Sequence, residues 1–304
     1  MRICSLLPSA REIAFALGLG DSVVAVTHEC DYPPEAKTKR VVVKNVIDAH
    51  TYSSHEINRV ISERLRAKKS IYTIDLPAFK AADPDLILTQ ELCDVCAVDY
   101  NEVIEASQVL SQKPKIISLN PSLLSDVLRE IEYVGQATGK EKVAEALVLH
   151  LRERIDQVRK QVSRADLRPR VACLEWLDPI YNAGHWVPEM VELAGGQEGL
   201  AQKARPSREI NWEQVLDFAP EVMVLMPCGF DVKRTSEDAR LLYSLPGWKE
   251  LPAVRQGRVF AVNGHAYFNR SGPRLVDGLE ILGQIIHPEI FPWQASVEAV
   301  QKLE

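Results

Sequence analysis

The chain has 304 residues, of which 46% are hydrophobic, so a sizeable core divided between two lobes is a fair expectation. Lys and Arg number 36 against 42 Asp and Glu, and the resulting net charge of −6 argues against nucleic acid or anionic membranes as main partners. No apolar run reaches the length that crosses a membrane, so we expect no membrane insertion. We also expect a monomer.

The N-terminus begins with MRICSLLPSAREIAF, which is a strand-like run from its first residues. It lacks an apolar segment ending in a small-residue cleavage site, which is the mark of a secretory signal. The sequence as written therefore predicts a cytoplasmic protein. The alternative is a periplasmic or extracellular protein whose leader was trimmed.

Residues 1–121 alternate short apolar runs with amphipathic stretches. Four runs rich in Val, Ile and Leu are typical of buried strands, namely RICSLL, SVVAVT, DLILT and KIISL. Between them, Ser53 and Glu56 form a Ser-x-x-Glu capping box ahead of a helical pattern, and residues 101–110 predict another helix. Strands that alternate with helices indicate a mostly parallel sheet flanked by helices.

Residues 122–166 have a different pattern, with apolar residues at helical spacing and charged residues between them. The apolar positions are Val143, Leu147, Leu151, Ile155, Val158 and Val162. They predict one long amphipathic helix with a break near Gly139. At roughly 1.5 Å per residue, such a helix is long enough to join two lobes.

From residue 167 the alternation resumes. The runs RVACLEW, VMVLM and RVFAV predict strands, and PEMVELAG, WEQVLDF and GPRLVDGLEILGQII predict helices. The predicted fold class is α/β, with two lobes that each contain a mostly parallel sheet flanked by helices. The predicted divisions are an N-terminal lobe over 1–121, a connecting helix over 122–166 and a C-terminal lobe over 167–304.

Thiol, imidazole and aromatic side chains follow the predicted strands of both lobes. Ligands of open parallel sheets bind beyond the carboxyl ends of the strands, so these residues are candidates for lining one cleft between the lobes. In the first lobe they are His28, Cys30, Cys93 and Cys96. In the second lobe they are Trp176, Tyr181, His185, Trp186, Phe230, His265, Tyr267 and Arg270.

The pair Cys93 and Cys96 has three interpretations. Redox chemistry is disfavoured, because the neighbouring Glu91 and Asp94 oppose a thiolate. The two thiols, with His28 and Cys30, form a candidate set of ligands for zinc or another soft metal ion. Alternatively, small buried thiols simply fill the end of the sheet.

Several stretches together resemble the helical-backbone class of periplasmic solute-binding proteins, which serve ABC importers for vitamin B12, haem and siderophores. They are RICSLLPSAREIAFALGLGDSVVAVTHECDYPPEA, PDLILTQ, the central helix, NWEQVLDFAPEVMVL and HAYFNRSGPRLVDGLEIL, and they cover nearly the whole chain. The first stretch, with Leu-Pro-Ser near residue 8 and Asp-Tyr-Pro-Pro at 31–34, is most similar to the vitamin B12-binding branch.

The resemblance implies two lobes joined by a rigid helix, a ligand held between them and no catalysis. It implies an aromatic ligand contact at Tyr267 and docking on a permease through one surface carboxylate per lobe. Glu213 stands at the matching place of the second lobe. In the first lobe that place holds Pro77, with only Asp75 nearby.

The residues and the resemblance together predict a non-enzymatic protein that binds a corrinoid such as cobalamin. His185 or His265 could offer an imidazole to its cobalt, although a loop histidine is more commonly satisfied by a backbone carbonyl. Arg270 either holds a polar group of the ligand or is solvated. The alternatives are a haem- or siderophore-binding protein and a Cys/His metal-binding protein. His287 is expected to be solvated, and Trp212 and Trp248 to be structural.

Overall fold

The computed structural model describes residues 1–47, 51–67, 69–91 and 98–304. These residues form two compact units. Unit 1 comprises residues 1–121 and 128–148, and unit 2 comprises residues 122–127 and 149–304. The domain boundaries predicted from the sequence stay predictions.

Unit 1 contains a sheet of six strands. The strands are β1 (Ile3–Ser5), β2 (Val23–Thr27), β3 (Arg40–Asn45), β4 (Tyr72–Ile74), β5 (Leu86–Thr89) and β6 (Lys115–Ser118), and the helices are α1 (Pro8–Ala16), α2 (Ser54–Arg66), α3 (Leu76–Ala82) and α4 (Tyr100–Ser107). The strand order is β4-β3-β2-β1-β5-β6, and every neighbouring pair is parallel except β3 and β4. The four strands predicted from RICSLL, SVVAVT, DLILT and KIISL are confirmed.

The predicted capping box at the start of α2 is also confirmed. The backbone N–H of Glu56 donates to the Ser53 hydroxyl at 3.3 Å, and the Ser53 N–H donates to the Glu56 carboxylate at 2.9 Å. These two bonds satisfy N–H groups that the first helical turn leaves without intrahelical partners.

The central segment is two helices rather than one. They are α5 (Leu124–Thr138) and α6 (Glu141–Val162), and Gly139 between them has φ +69°. The break expected near Gly139 is confirmed, because a left-handed residue ends a helix. The predicted apolar positions from Leu151 to Val162 are buried along α6.

Unit 2 contains a sheet of five strands in the order β11-β10-β9-β7-β8. The strands are β7 (Val171–Leu177), β8 (Ile180–Asn182), β9 (Val222–Leu225), β10 (Val259–Val262) and β11 (Val300–Lys302), and the helices are α7 (Val187–Leu193), α8 (Trp212–Phe218), α9 (Val232–Asp238), α10 (Arg240–Tyr243), α11 (Pro252–Arg255), α12 (Gly264–Tyr267) and α13 (Leu275–Ile286). The three central strands are parallel and were predicted, whereas both antiparallel edge strands were not.

Two contacts within unit 2 anchor its helices. Arg154 on α6 donates to the carboxylates of Asp277 and Glu280 on α13, at distances between 2.5 and 2.9 Å. Trp212 and Trp248 are buried with ring centroids 6.2 Å apart, which agrees with the structural role expected for them. Within the described residues, no helix is both long and apolar enough to cross a membrane.

Candidate functional site

Three segments of unit 2 follow the parallel strands β7, β9 and β10 and meet at the carboxyl ends of these strands. The rings of Trp176, at the end of β7, and Phe230, after β9, have centroids 5.1 Å apart. The backbone N–H of His265, after β10, donates to the Phe230 carbonyl at 3.1 Å. The structure therefore brings together Trp176, Phe230 and His265, one residue from each of the three predicted strand ends.

The aromatic residues of this edge differ in exposure. Phe230 is buried, with the Arg234 guanidinium carbon 4.8 Å from its ring centroid. Trp176 and Tyr181 are only partly buried, and the Trp176 indole donates to the Asp178 carbonyl at 3.0 Å. Phe230 is thus a packing residue beneath the site, whereas Trp176 and Tyr181 keep part of their rings accessible to solvent.

The side chains of Arg270 and His265 are in direct contact. A guanidinium nitrogen of Arg270 donates to the His265 ring. Arg270 is buried with 6% of its surface exposed, so of the two alternatives given for it the solvated arginine is wrong, and a ligand contact stays a prediction. Tyr267, which is partly buried, has the Arg274 guanidinium carbon 5.7 Å from its ring centroid.

His185 has an unusual backbone conformation. Its φ is +52°, in the left-handed region where residues with a Cβ are strained. Two backbone bonds hold it there, because its N–H donates to the Arg205 carbonyl at 2.6 Å and its carbonyl accepts from Ala204 at 3.0 Å. Burial lowers the pKa of His185 and so favours the neutral imidazole, which is the form that binds a metal.

The residues on both sides of His185 are fixed as well. A Cβ added to Gly184 would lie 2.2 Å from the backbone nitrogen of Ser207, so this position requires glycine. The indole N–H of Trp186 donates to the Phe268 carbonyl at 2.8 Å, and Trp186 is 7% exposed. The 184–186 segment is therefore attached to residues 204–207 and to Phe268 at the end of α12.

Glu175 is a site residue that sequence reasoning missed. It lies in β7, where the pairing with β8 shifts register between Leu174 and Trp176. Its carboxylate accepts from the Gly184 N–H at 3.2 Å and from the Ser207 side chain, and burial raises its pKa. The sequence did contain a signal for this role, namely an acidic residue inside the apolar run RVACLEW. A charged group in a buried strand needs dedicated hydrogen-bond partners.

In unit 1, His28 and Cys30 follow β2, as predicted. The Nδ1 of His28 is 3.2 Å from the Val43 carbonyl, and its Nε2 is 3.2 Å from the Glu29 carboxylate. Cys30 is buried, with its sulfur 3.5 Å from the Thr27 hydroxyl. Both ring nitrogens of His28 thus have partners within the protein.

Cys93 and Cys96 lie outside the described residues, so the structure tests none of the three interpretations of that pair. Across the described ranges, no group of three or more His, Cys, Asp or Glu is placed to hold a metal ion. A Cys/His metal site remains a prediction, which metal analysis of wild type and Cys93→Ser purified without chelator would test.

The structure also shows buried thiols in the middle of each sheet. Cys4 in β1 and Cys173 in β7 are at most 1% exposed. Burial raises the pKa of both thiols, with a further contribution from Cys30 to the first and from Glu198 to the second. They are core residues.

The two carboxylates considered for permease docking, Glu213 and Asp75, differ in their contacts. Glu213 is exposed in the first turn of α8, as a docking residue must be. Asp75 instead caps α3, where it accepts from the Ala78 N–H at 3.0 Å, and it lies 3.7 Å from the Lys44 ammonium. Docking through Glu213 stays a prediction.

The expectation of a solvated His287 is wrong. His287 is 3% exposed, with Nδ1 3.0 Å from the Glu289 carboxylate and Nε2 3.2 Å from the Gly195 carbonyl. Gly195 is 92 residues away in sequence, so the local sequence around His287 could not reveal this contact.

These geometric features accompany a clear family match. The chain belongs to the periplasmic binding protein family, which matches residues 3–265. This is a family of solute-binding proteins that are typically non-enzymatic and that serve ABC importers, so a small-molecule ligand and a permease are its expected partners. The family predicted from the sequence is confirmed.

Among its relatives, the chain is 28% identical over 282 residues to a vitamin B12-binding protein of Vibrio cholerae, covering 92% of this chain and 86% of the relative. It is 27% identical over 296 residues to YvrC, an uncharacterized ABC transporter substrate-binding lipoprotein of Bacillus subtilis, covering 95% and 81%.

Solved structures share the two-lobe α/β fold, which confirms the predicted fold class. The periplasmic vitamin B12-binding protein BtuF of Vibrio cholerae superposes with a TM-score of 0.67 and 26% identity, covering 94% of this chain and 96% of that chain. The periplasmic heme-binding protein RhuT of Roseiflexus superposes with a TM-score of 0.71 and 22% identity, covering 95% and 98%.

The expectation of a cytoplasmic location is wrong. The family is one of periplasmic binding proteins, and the relatives are a lipoprotein and proteins described as periplasmic. These findings point to a periplasmic or extracellular location. They give no support to zinc as a cofactor.

Proposed function

We propose that this chain is the solute-binding protein of an ABC importer for a corrinoid, with cobalamin as the first candidate ligand. The single observation that carries the proposal is the meeting of aromatic and imidazole groups at the strand ends of unit 2, in a chain similar to a vitamin B12-binding protein. We call this group the strand-end site; it comprises Trp176, Tyr181, His185, Trp186, Phe230, His265, Tyr267 and Arg270.

The half-buried aromatic rings would supply most of the affinity. A macrocycle is bound largely through area, and each aromatic side chain can bury about 150–250 Å². Trp176, Tyr181 and Tyr267 retain accessible ring surface for such contacts. Phe230 is buried against the Trp176 ring and would support it, and the buried Trp186 would support the His185 imidazole, whose ring centroid is 5.5 Å away.

Polar groups would orient the ligand within this apolar setting. The neutral imidazole of His185 is able to approach the cobalt, since it is held in one backbone conformation and is only partly buried. The paired side chains of Arg270 and His265 offer donors to the amide groups that surround a corrin ring. Cys30, Cys93 and Cys96 remain proposed contacts from unit 1, and a ligand between the lobes remains a prediction.

Titration of purified protein with cyanocobalamin and dicyanocobinamide tests the proposal. We expect one-to-one binding by calorimetry and a red protein after gel filtration. A flat titration with both corrinoids, on protein with a cooperative unfolding transition, would reject cobalamin as the ligand.

Haem is the second candidate, and His185 is the observation that favours it. A neutral histidine imidazole is a common axial ligand of haem iron, and it would serve iron as readily as cobalt. Addition of hemin would then shift the Soret band, and His185→Ala would abolish the shift. Competition between hemin and cobalamin on one sample decides which ligand binds more tightly.

A further inference from the structure

Glu175 directly precedes Trp176 of the strand-end site in β7, but it was not among the predicted members of that site. It stands between two residues of β7 whose pairing with β8 shifts register, which is the geometry of a β-bulge. Bulges turn a side chain away from the regular alternation and are common next to functional sites. The neighbours Leu174 and Trp176 are apolar, so an acid at this position needs specific donors.

The donors to Glu175 come from the segments that frame His185. Its carboxylate accepts from the Gly184 N–H at 3.2 Å and from the Ser207 side chain. Its backbone carbonyl accepts from the Cys228 N–H at 3.1 Å. One residue thus contacts the 184–186 segment, the 204–207 segment and the loop after β9.

These bonds close a ring around His185. Ala204 and Arg205 hold the backbone of His185 through two hydrogen bonds. The Glu175 carboxylate accepts hydrogen bonds from Gly184, the residue before His185, and from Ser207, two residues after Arg205. A strained left-handed residue persists only where its surroundings fix it from several sides. Within the described residues, the Glu175 carboxylate is the side-chain group that bonds to both the 184–186 segment and the 204–207 segment.

We propose that Glu175 is the positioning residue of the strand-end site, whose carboxyl group joins the 184–186 and 204–207 segments and so fixes the backbone and imidazole of His185 for its ligand. This inference rests on the proposed function, because it assigns His185 a ligand bearing a metal with an open axial position. Burial raises the pKa of Glu175, in agreement with a carboxyl whose partners are neutral donors.

The test compares Glu175→Leu, which removes both acceptor oxygens, with Glu175→Gln, which retains one. The matched control is Glu198→Gln, because Glu198 is also a partly buried acid of unit 2 that accepts backbone N–H groups, here from Gly199, Leu200 and Ala201. Amide and imidazole ¹⁵N shifts of Gly184 and His185 are recorded in the ligand-free proteins. Binding of aquocobalamin and of hemin is followed by absorption.

We expect Glu175→Leu to shift the resonances of Gly184 and His185 and to weaken metal-macrocycle binding by about 10- to 100-fold, the usual effect of losing a group that orients a metal ligand. Glu175→Gln should lose less affinity, and Glu198→Gln should leave both readouts as in the wild type. Unchanged His185 resonances and affinity in Glu175→Leu would overturn the inference.

Two further outcomes keep the inference separate from the proposed function. If the wild type binds neither macrocycle, the proposed function fails, while the resonances of the ligand-free protein still decide whether Glu175 positions His185. If Glu175→Leu does not fold, Ser207→Ala removes one of the two donors, and an unchanged His185 spectrum in that variant contradicts the inference.

Discussion

The indole N–H of Trp186 donates to the backbone carbonyl of Phe268 at 2.8 Å, across 82 residues of sequence. Trp186 is 7% exposed and Phe268 is 1% exposed, so this bond is shielded from water. It attaches the segment that carries His185 to the end of α12, the helix that carries His265 and Tyr267. Two parts of the strand-end site therefore hold their relative positions through one buried hydrogen bond.

Trp186→Phe should destabilise unit 2, because it leaves the buried Phe268 carbonyl without this donor. The expected loss is about 1–3 kcal/mol in the free energy of unfolding, measured by urea denaturation. Trp293→Phe is the control, since Trp293 is 50% exposed, and it should change stability by about 0.5 kcal/mol or less. Equal effects of the two substitutions would contradict a special role for the Trp186 bond.

His185→Gly should separate binding from stability. Glycine adopts a φ of +52° without strain, and the relief of about 1 kcal/mol offsets the greater entropy of the unfolded chain. We therefore expect an unfolding temperature close to that of the wild type, together with a loss of affinity for cobalamin or hemin. His185→Asn, which also tolerates this φ, is the companion variant. A large loss of stability in both would show that the imidazole is mainly a packing group.

Gly184→Ala should be severely destabilising, because the new methyl group would overlap the backbone nitrogen of Ser207 at 2.2 Å. Gly139→Ala is the matched control, with φ +69° and no atom within 4 Å of the new methyl group, so it should cost only about 1–2 kcal/mol. Thermal unfolding of both variants measures the difference. A smaller effect at Gly184 than at Gly139 would mean that the 205–207 segment yields easily.

Glu198 should make stability depend on pH. Burial raises the pKa of Glu198 from 4.5 to about 7 in the folded protein. The folded state therefore binds more protons than the unfolded state between these values. The resulting stability is fully present below pH 4.5 and is lost as the pH rises through about 7.

Glu198→Gln removes this titration, and the comparison checks the sign. We expect the wild type to lose on the order of 1–3 kcal/mol more than the variant between pH 4.5 and 7.5, measured by urea denaturation. Parallel stability profiles for the two proteins would show that the carboxyl group is ionised in the fold.

Glu213→Ala should impair uptake without changing affinity for the ligand, because Glu213 is exposed in the first turn of α8. Glu141→Ala is the matched control, an exposed acid in the first turn of α6. Transport by the cognate permease in vesicles is the measurement, with calorimetry for the ligand. Loss of transport in both variants, or in neither, would count against docking at Glu213.

Local patterns in the sequence were enough to predict most of the parallel strands and the residues that follow them, but the parallel strand β3 was missed. A buried parallel strand is a short run of Val, Ile and Leu, and its carboxyl end is marked by the first polar residues that follow. RVACLEW, VMVLM and RVFAV therefore identified β7, β9 and β10, and the topology alone then placed Trp176, Phe230 and His265 together.

The remaining features depend on partners that are distant in sequence. The strands β8 and β11 have three residues each, and antiparallel pairing at the sheet edges defines them. His287 was wrongly expected to be solvated, and its partner Gly195 lies 92 residues away. Glu175 sits in an apolar run that predicts a strand correctly but says nothing of a bulge or of Ser207.

The buried thiols of Cys4 and Cys173 have a consequence for the surroundings in which the protein works. A cysteine attacks disulfides and oxidants as the thiolate. Because burial raises the pKa of the Cys4 and Cys173 thiols, these side chains rarely ionise to the thiolate. These two side chains should therefore persist in an oxidising compartment without pairing or overoxidation, and neither needs a disulfide-forming catalyst for the chain to mature.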